Sequence, residues 1–135
     1  MAFALPSVGE LLLLKYVLNH TVPDNARLHL YSNEREPSDD DVLSSYTECT
    51  AAGYASMSLN GSLWTFATAA GTTTASYPTR TFTFTTSATV NGYYMTNNAA
   101  TQLIFAESFD DGPYEIVGTG YVAVDPGVRL RGDPS

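Results

Sequence analysis

Residues 80–96 read RTFTFTTSATVNGYYMT. Phe82 and Phe84 alternate with Thr81, Thr83 and Thr85, and strict alternation of apolar and polar side chains marks a strand with two unlike faces. The run breaks at Ser87-Ala88 and resumes with Val90, Tyr93 and Tyr94. Two strands are therefore expected, over 80–86 and 89–96. The phenylalanine side should form the interior. The threonine side should be either wet or laid against a second copy of the chain.

The same period recurs on both sides of this stretch. Leu28 and Leu30 alternate with Arg27, His29 and Tyr31, and residues 53–59 set Tyr54, Ser56 and Ser58 against Ala55, Met57 and Leu59. Asn60-Gly61 is the strongest tight-turn pair and should join that strand to one carrying Trp64 and Phe66. Residues 69–80, small and threonine-rich, read as a loop ending near Pro78. Beyond the opening stretch, Leu103, Phe105, Glu107 and Phe109 alternate with Ile104, Ala106 and Ser108, and short strands follow in 114–117, 120–125 and 128–132. Only residues 7–19 carry a helical pattern. Ser7 and Glu10 match a capping box, and Val8, Leu11, Leu12 and Tyr16 recur at helical spacing. Leu13 and Leu14 widen the apolar arc, so burial on more than one side is expected. The spacing of about eight to ten strands predicts an all-β fold, an antiparallel sandwich or jelly-roll-like barrel with one short N-terminal helix. One domain over 1–135 is expected, with residues 1–6 as an arm.

Six basic residues face fourteen acidic ones, a net charge of -8 over 135 residues. Phosphate backbones and anionic lipids repel such a surface, so neither nucleic acid nor membrane is an expected partner. The apolar run Leu11–Leu14 is far short of the roughly 20 residues of a membrane span, and Pro6, Gly9 and Glu10 precede it where a signal peptide would carry positive charge. The reading is a soluble protein made in a cytoplasm. Cys49 stands alone and reads as a small buried apolar residue.

No catalytic set emerges. His20 and His29 lie on different elements, so no metal site is expected. Asp39-Asp40-Asp41 lacks the alternating spacing of a calcium loop and reads as solvated loop charge, and Glu107, Asp110 and Asp111 have no evident counterpart for acid–base work. No phosphate loop, GxSxG or HExxH occurs. The expectation is a non-enzyme without cofactors. Arg131-Gly132-Asp133 and the sequons at Asn19 and Asn60 are matches too short to carry function.

The aromatic content remains: nine tyrosines, six phenylalanines and Trp64. Most phenylalanines, and Trp64, should be core. Tyrosines such as Tyr31, Tyr93 and Tyr94 suit either the core rim or a protein interface. Candidate interface residues are Ala2, Phe3 and Leu5 of the arm, Glu34 and Arg35 of the charged loop 34–41, Tyr31, Tyr93, and Arg129 with Arg131 on the last strand.

In order, the phrases LHLYSN (28–33), YTECTAAGYA (46–55), LWTF (63–66), RTFTF (80–84), VNGYYMT (90–96) and LIFAESFDDGPY (103–114), with a closing valine-rich strand, resemble a group of small structural proteins of tailed bacteriophages. The resemblance spans about residues 8–130 and lies in the order of the phrases more than in any one. It implies a virion component, most readily a capsid decoration (cement) protein. Such a protein sits on the outer capsid surface, commonly as a homotrimer, and clamps the major capsid protein. The other expectation is a tail-associated β-sandwich that binds a receptor or glycan, with Trp64 stacking the sugar.

Overall fold

The computed structural model describes residues 3–131, with only the backbone at 131. The fold is all-β and sandwich-like, with one short N-terminal helix. Every strand pairing is antiparallel.

A five-stranded sheet forms the base. In spatial order it holds β1 (Phe3–Ala4), β9 (Leu103–Ser108), β8 (Gly92–Thr96), β2 (Ala26–Tyr31) and β3 (Met57–Leu59). A three-stranded sheet holds β12 (Gly127–Arg131), β5 (Thr72–Ser76) and β4 (Thr65–Ala69). Two further ribbons pair β11 (Gly120–Val124) with β6 (Arg80–Phe84), and β10 (Tyr114–Ile116) with β7 (Ala88–Val90). The described residues thus hold twelve short strands. The three strands beyond those read from the sequence come from β1, drawn from the supposed arm, from β5, drawn from the supposed loop, and from the expected strand 89–96, which breaks at Asn91 into β7 and β8 of two different sheets.

The opening stretch behaves as its alternation requires. Phe82 and Phe84 of β6 are buried, while Thr81 and Thr83 are exposed. Their neighbours across the ribbon repeat the pattern: Val122 and Val124 point inward, Tyr121 and Ala123 outward. Tyr54 joins this ribbon to the base. Its ring stacks on Phe82 and Phe84, with centroids 5.7 and 5.9 Å away, and its hydroxyl accepts the Leu30 N–H of β2 at 3.0 Å. Leu28, Leu30, Tyr93, Met95 and Phe105 from the base sheet complete the main core.

Strands β8 and β9 are buried on both faces, which is why GYYMT and LIFAES carry little polar alternation. The far face of the base holds a second aromatic layer, Tyr31, Tyr46 and Tyr94, under the segment 41–46. Gly92 makes room for it, since a Cβ there would lie 2.5 Å from the Tyr31 hydroxyl.

Three local expectations need correction. Helix α1 (Ser7–Val17) starts after Pro6 rather than on a serine cap: the Ser7 N–H is taken by the Asp39 carbonyl at 3.1 Å, and no side chain caps the end. It stops at Val17 because Asn19 turns left-handed (φ 58°) and His20 N–H closes on the Lys15 carbonyl. It is buried on one side only, at Gly9 and Leu12, where Gly9 meets β9 so closely that a Cβ would lie 1.9 Å from the Ile104 carbonyl oxygen. Finally, Asn60-Gly61 is no hairpin turn. Asn60 keeps φ at -64° and its Oδ1 accepts the Ser62 N–H at 2.9 Å, opening a short 3₁₀ turn. The hairpin is instead β4–β5, turning at Ala70 and Gly71 with φ of 51° and 80°.

Candidate functional site

The polar side chains that the fold buries form three closed networks around the base sheet. In the first, β2 carries His29, 2% exposed, between two oxygens. Its Nδ1 donates to Glu48 Oε2 at 2.8 Å, and its Nε2 lies 2.9 Å from Thr96 Oγ1 on β8. Tyr94 stacks on the ring at 4.6 Å and 8°. The Tyr54 hydroxyl donates to the same Glu48 oxygen at 2.6 Å. Burial lowers the His29 pKa, and the Glu48 carboxylate opposes that shift. An acid, an imidazole and a hydroxyl in line are the parts of a nucleophilic triad. Here Thr96 is fully buried, and its oxygen has no exposure to the surface. The line works as an internal strut between β2, β8 and the segment at Glu48.

The second network holds the charged loop. Asp41 is 1% exposed and accepts from Arg35, from the Tyr46 hydroxyl and from the Ser38 N–H at 3.0 Å. Burial raises its pKa, but these donors outweigh burial and hold it below the ordinary aspartate value. Asp39 and Asp40 are exposed, as a solvated loop requires, while Asp41 corrects that reading: it is the loop's anchor. In the third network, Glu107 is 5% exposed and accepts from Tyr93 Oη at 2.8 Å and from Arg129 at 3.0 Å. Arg129 also lies over the Phe3 ring, 5.1 Å from its centroid. Buried tyrosines in these networks have pKa values raised chiefly by burial. Cys49 is buried and its thiol is pushed up to about 11 by burial.

These networks reassign most of the interface candidates. Tyr31 and Tyr93, 0% and 2% exposed, are core residues and present no surface. Phe3 and Leu5 are half-buried; Phe3 packs on Phe105 at 5.3 Å within β1, so residues 3–6 are not a free arm. Arg129 pairs with Glu107 of its own chain, although its side chain stays 48% exposed. Arg35 holds Asp41 yet stays 42% exposed, and Glu34 is exposed beside it. Ala2, the Arg131 side chain, Gly132 and Asp133 lie outside the described residues. Trp64 is half-buried, edge-on to Tyr77 at 5.0 Å, and Phe66 is 73% exposed against the expectation of a core phenylalanine.

The surface carries what the interior does not need. Every residue of β4 is exposed, so the threonine-rich β4–β5 hairpin leaves both faces and one edge open. On α1 and beside it, Val8, Leu11, Leu14, Val17, Leu18 and Val42 are 39–78% exposed. A groove of about 250 Å³ runs between α1 and Leu43, with Leu103 at its floor. Sequence reasoning missed this patch because a four-leucine run reads as burial. It missed the second aromatic layer because alternation in ARLHLY suggests a wet face, and only the unbroken burial signal of GYYMT argues otherwise.

The chain matches no protein-family model, no curated protein and no solved structure. Among the described residues no group of three or more His, Cys, Asp or Glu side chains is placed to hold a metal ion, and no helix is long and apolar enough to cross a membrane.

Proposed function

We propose that the chain is a structural component of a tailed-bacteriophage virion, most readily a capsid decoration protein that binds the major capsid protein and stabilises the head. One observation carries this reading: His29, Asp41, Thr96 and Glu107 are buried and tied to partners within the chain, whereas a group of apolar side chains on and beside α1 is left outside. Among the described residues only Arg80 Nε is a buried side-chain polar atom without a partner. The outward surfaces, the α1 patch and the open hairpin, suit contacts with other proteins, where exposed apolar patches concentrate. The resemblance in phrase order supplies the virion context. A protein that touches several capsid subunits at once gains avidity, because each further contact is made at an effective concentration on the order of millimolar.

Purified protein added to heads of its own phage that lack it should co-sediment with them and raise the temperature at which they release DNA. Heads that bind none of it at micromolar concentrations would remove the proposal. A sugar-stacking role has less support, since Trp64 is half-buried against Tyr77. A tryptophan emission shift on titration with a glycan panel would favour that role instead.

A further inference from the structure

The outer face of α1 has a pattern as well as apolar character. Leu11 and Leu14 of α1 and Leu18, the residue that caps its C-terminal end, are 54%, 58% and 73% exposed and stand three and four residues apart, the a–d–a step of a coiled-coil seam. In that frame Ser7 is a d position, Glu10 is g and Lys15 is e, with Val8 and Val17 widening the seam on either flank. Glu10 is exposed and Lys15 half-exposed, and neither forms an ion pair with its own chain among the described residues.

The flanking charges choose both occupant and direction. In a parallel pair, a g residue faces the e residue five positions on in its neighbour, so Glu10 meets the partner's Lys15. In an antiparallel pair g faces g and e faces e, which sets Glu10 against Glu10 and Lys15 against Lys15. Opposite charges at these positions fix partner and orientation, and like charges across an interface penalise the wrong one. We propose that α1 is a self-association seam on which a second copy of this chain lays its own α1 in parallel. Parallel copies are related by rotation about an axis along the helices, so the assembly closes as a dimer or trimer and every copy turns the same side to what lies below. The seam rests on the helix alone and not on the virion reading: heads could refuse the protein while the pairing holds.

Three turns of helix offer far fewer side chains than the roughly 20–30 per partner of a stable interface. The association should therefore be weak, with a dissociation constant on the order of 100 μM. Sedimentation equilibrium over rising concentration should show monomers passing to dimers or trimers. Leu11→Glu with Leu14→Glu, both at exposed positions, should leave the circular dichroism spectrum unchanged and abolish assembly. Glu10→Lys alone and Lys15→Glu alone should each weaken it about fivefold or more, and the double exchange should restore it. Ser7→Cys should cross-link copy to copy on mild oxidation, as parallel helices place that position beside itself. A chain still monomeric near 1 mM, an assembly indifferent to the leucine changes, a double exchange no better than the single ones, or an assembly whose Ser7→Cys form does not cross-link would each overturn the proposal.

Discussion

His29 lies between an acid and a hydroxyl, with Arg27, Tyr54 and Tyr94 as its other polar neighbours. In the neutral ring the Nδ1–H donates a hydrogen bond to Glu48 and Nε2 accepts one from the Thr96 hydroxyl. Charging the ring turns Nε2 into a donor, and the Thr96 hydroxyl must then turn to the Asn97 carbonyl 2.8 Å away. Burial sets the sign of the linkage. The folded pKa lies below the ordinary 6.5, so the unfolded chain takes up the proton first as pH falls. His29 therefore adds stability above about pH 6.5 that is lost progressively below it, with a slope of at most about 1.4 kcal/mol per pH unit. Urea midpoints should fall between pH 7.5 and 5.5 in the native chain, and His29→Gln should flatten that step. An equal step in the variant would assign the pH dependence elsewhere. Asp41 acts in the same direction only in stronger acid, because its own lowered pKa keeps it ionised through this window.

Between elements, the tightest approach is that of α1 on β9 at Gly9. Alanine is the better helix former by about 1 kcal/mol. At Gly9, however, the added methyl would meet a backbone carbonyl that cannot swing aside. Gly9→Ala should destabilise by about 1–3 kcal/mol net, the usual cost of overpacking, and thermal melting would show a clear drop in Tm; an unchanged or higher Tm would mean the helix sits further out. The elements also show how far the sequence could be read. Strand β6 was plain because alternation survives wherever one face is wet. The all-β class followed from the spacing of such runs. The β4–β5 hairpin was hidden because Ala70 takes a left-handed turn position where asparagine is the usual signal, while Asn60-Gly61 supplied that signal where a side chain captured the backbone first. The candidate surface was harder still. Tyr31 and Tyr93 have interface chemistry but interior positions, and the leucines of α1 have interior chemistry on an exterior face. Residue type alone does not separate these cases; the neighbours in space do.

Across the whole molecule, Glu107 ties the base sheet to the three-stranded sheet. It accepts hydrogen bonds from the Tyr93 hydroxyl on β8 and the Arg129 guanidinium on β12, and Tyr93 Oη in turn accepts the Gly127 N–H at 3.4 Å. Glu107→Ala leaves a buried hydroxyl and a guanidinium without their acceptor. The expected cost is about 2–4 kcal/mol. Hydrogen exchange should rise first in β12 and β5 while β6 and β11 stay protected. Uniform loss of protection would mean that the two sheets do not separate. The open hairpin also rests on Tyr77, whose hydroxyl accepts the Asn60 N–H at 2.9 Å, so Glu107 is one of its ties to the body.

The contact of Arg129 with Phe3 brings the first and last described strands together at one corner. Cargo fused ahead of Phe3 and cargo fused beyond β12 would leave the body from neighbouring points. A reordered gene, with these two strands joined by a brief linker and new termini cut between β4 and β5, would keep every sheet intact.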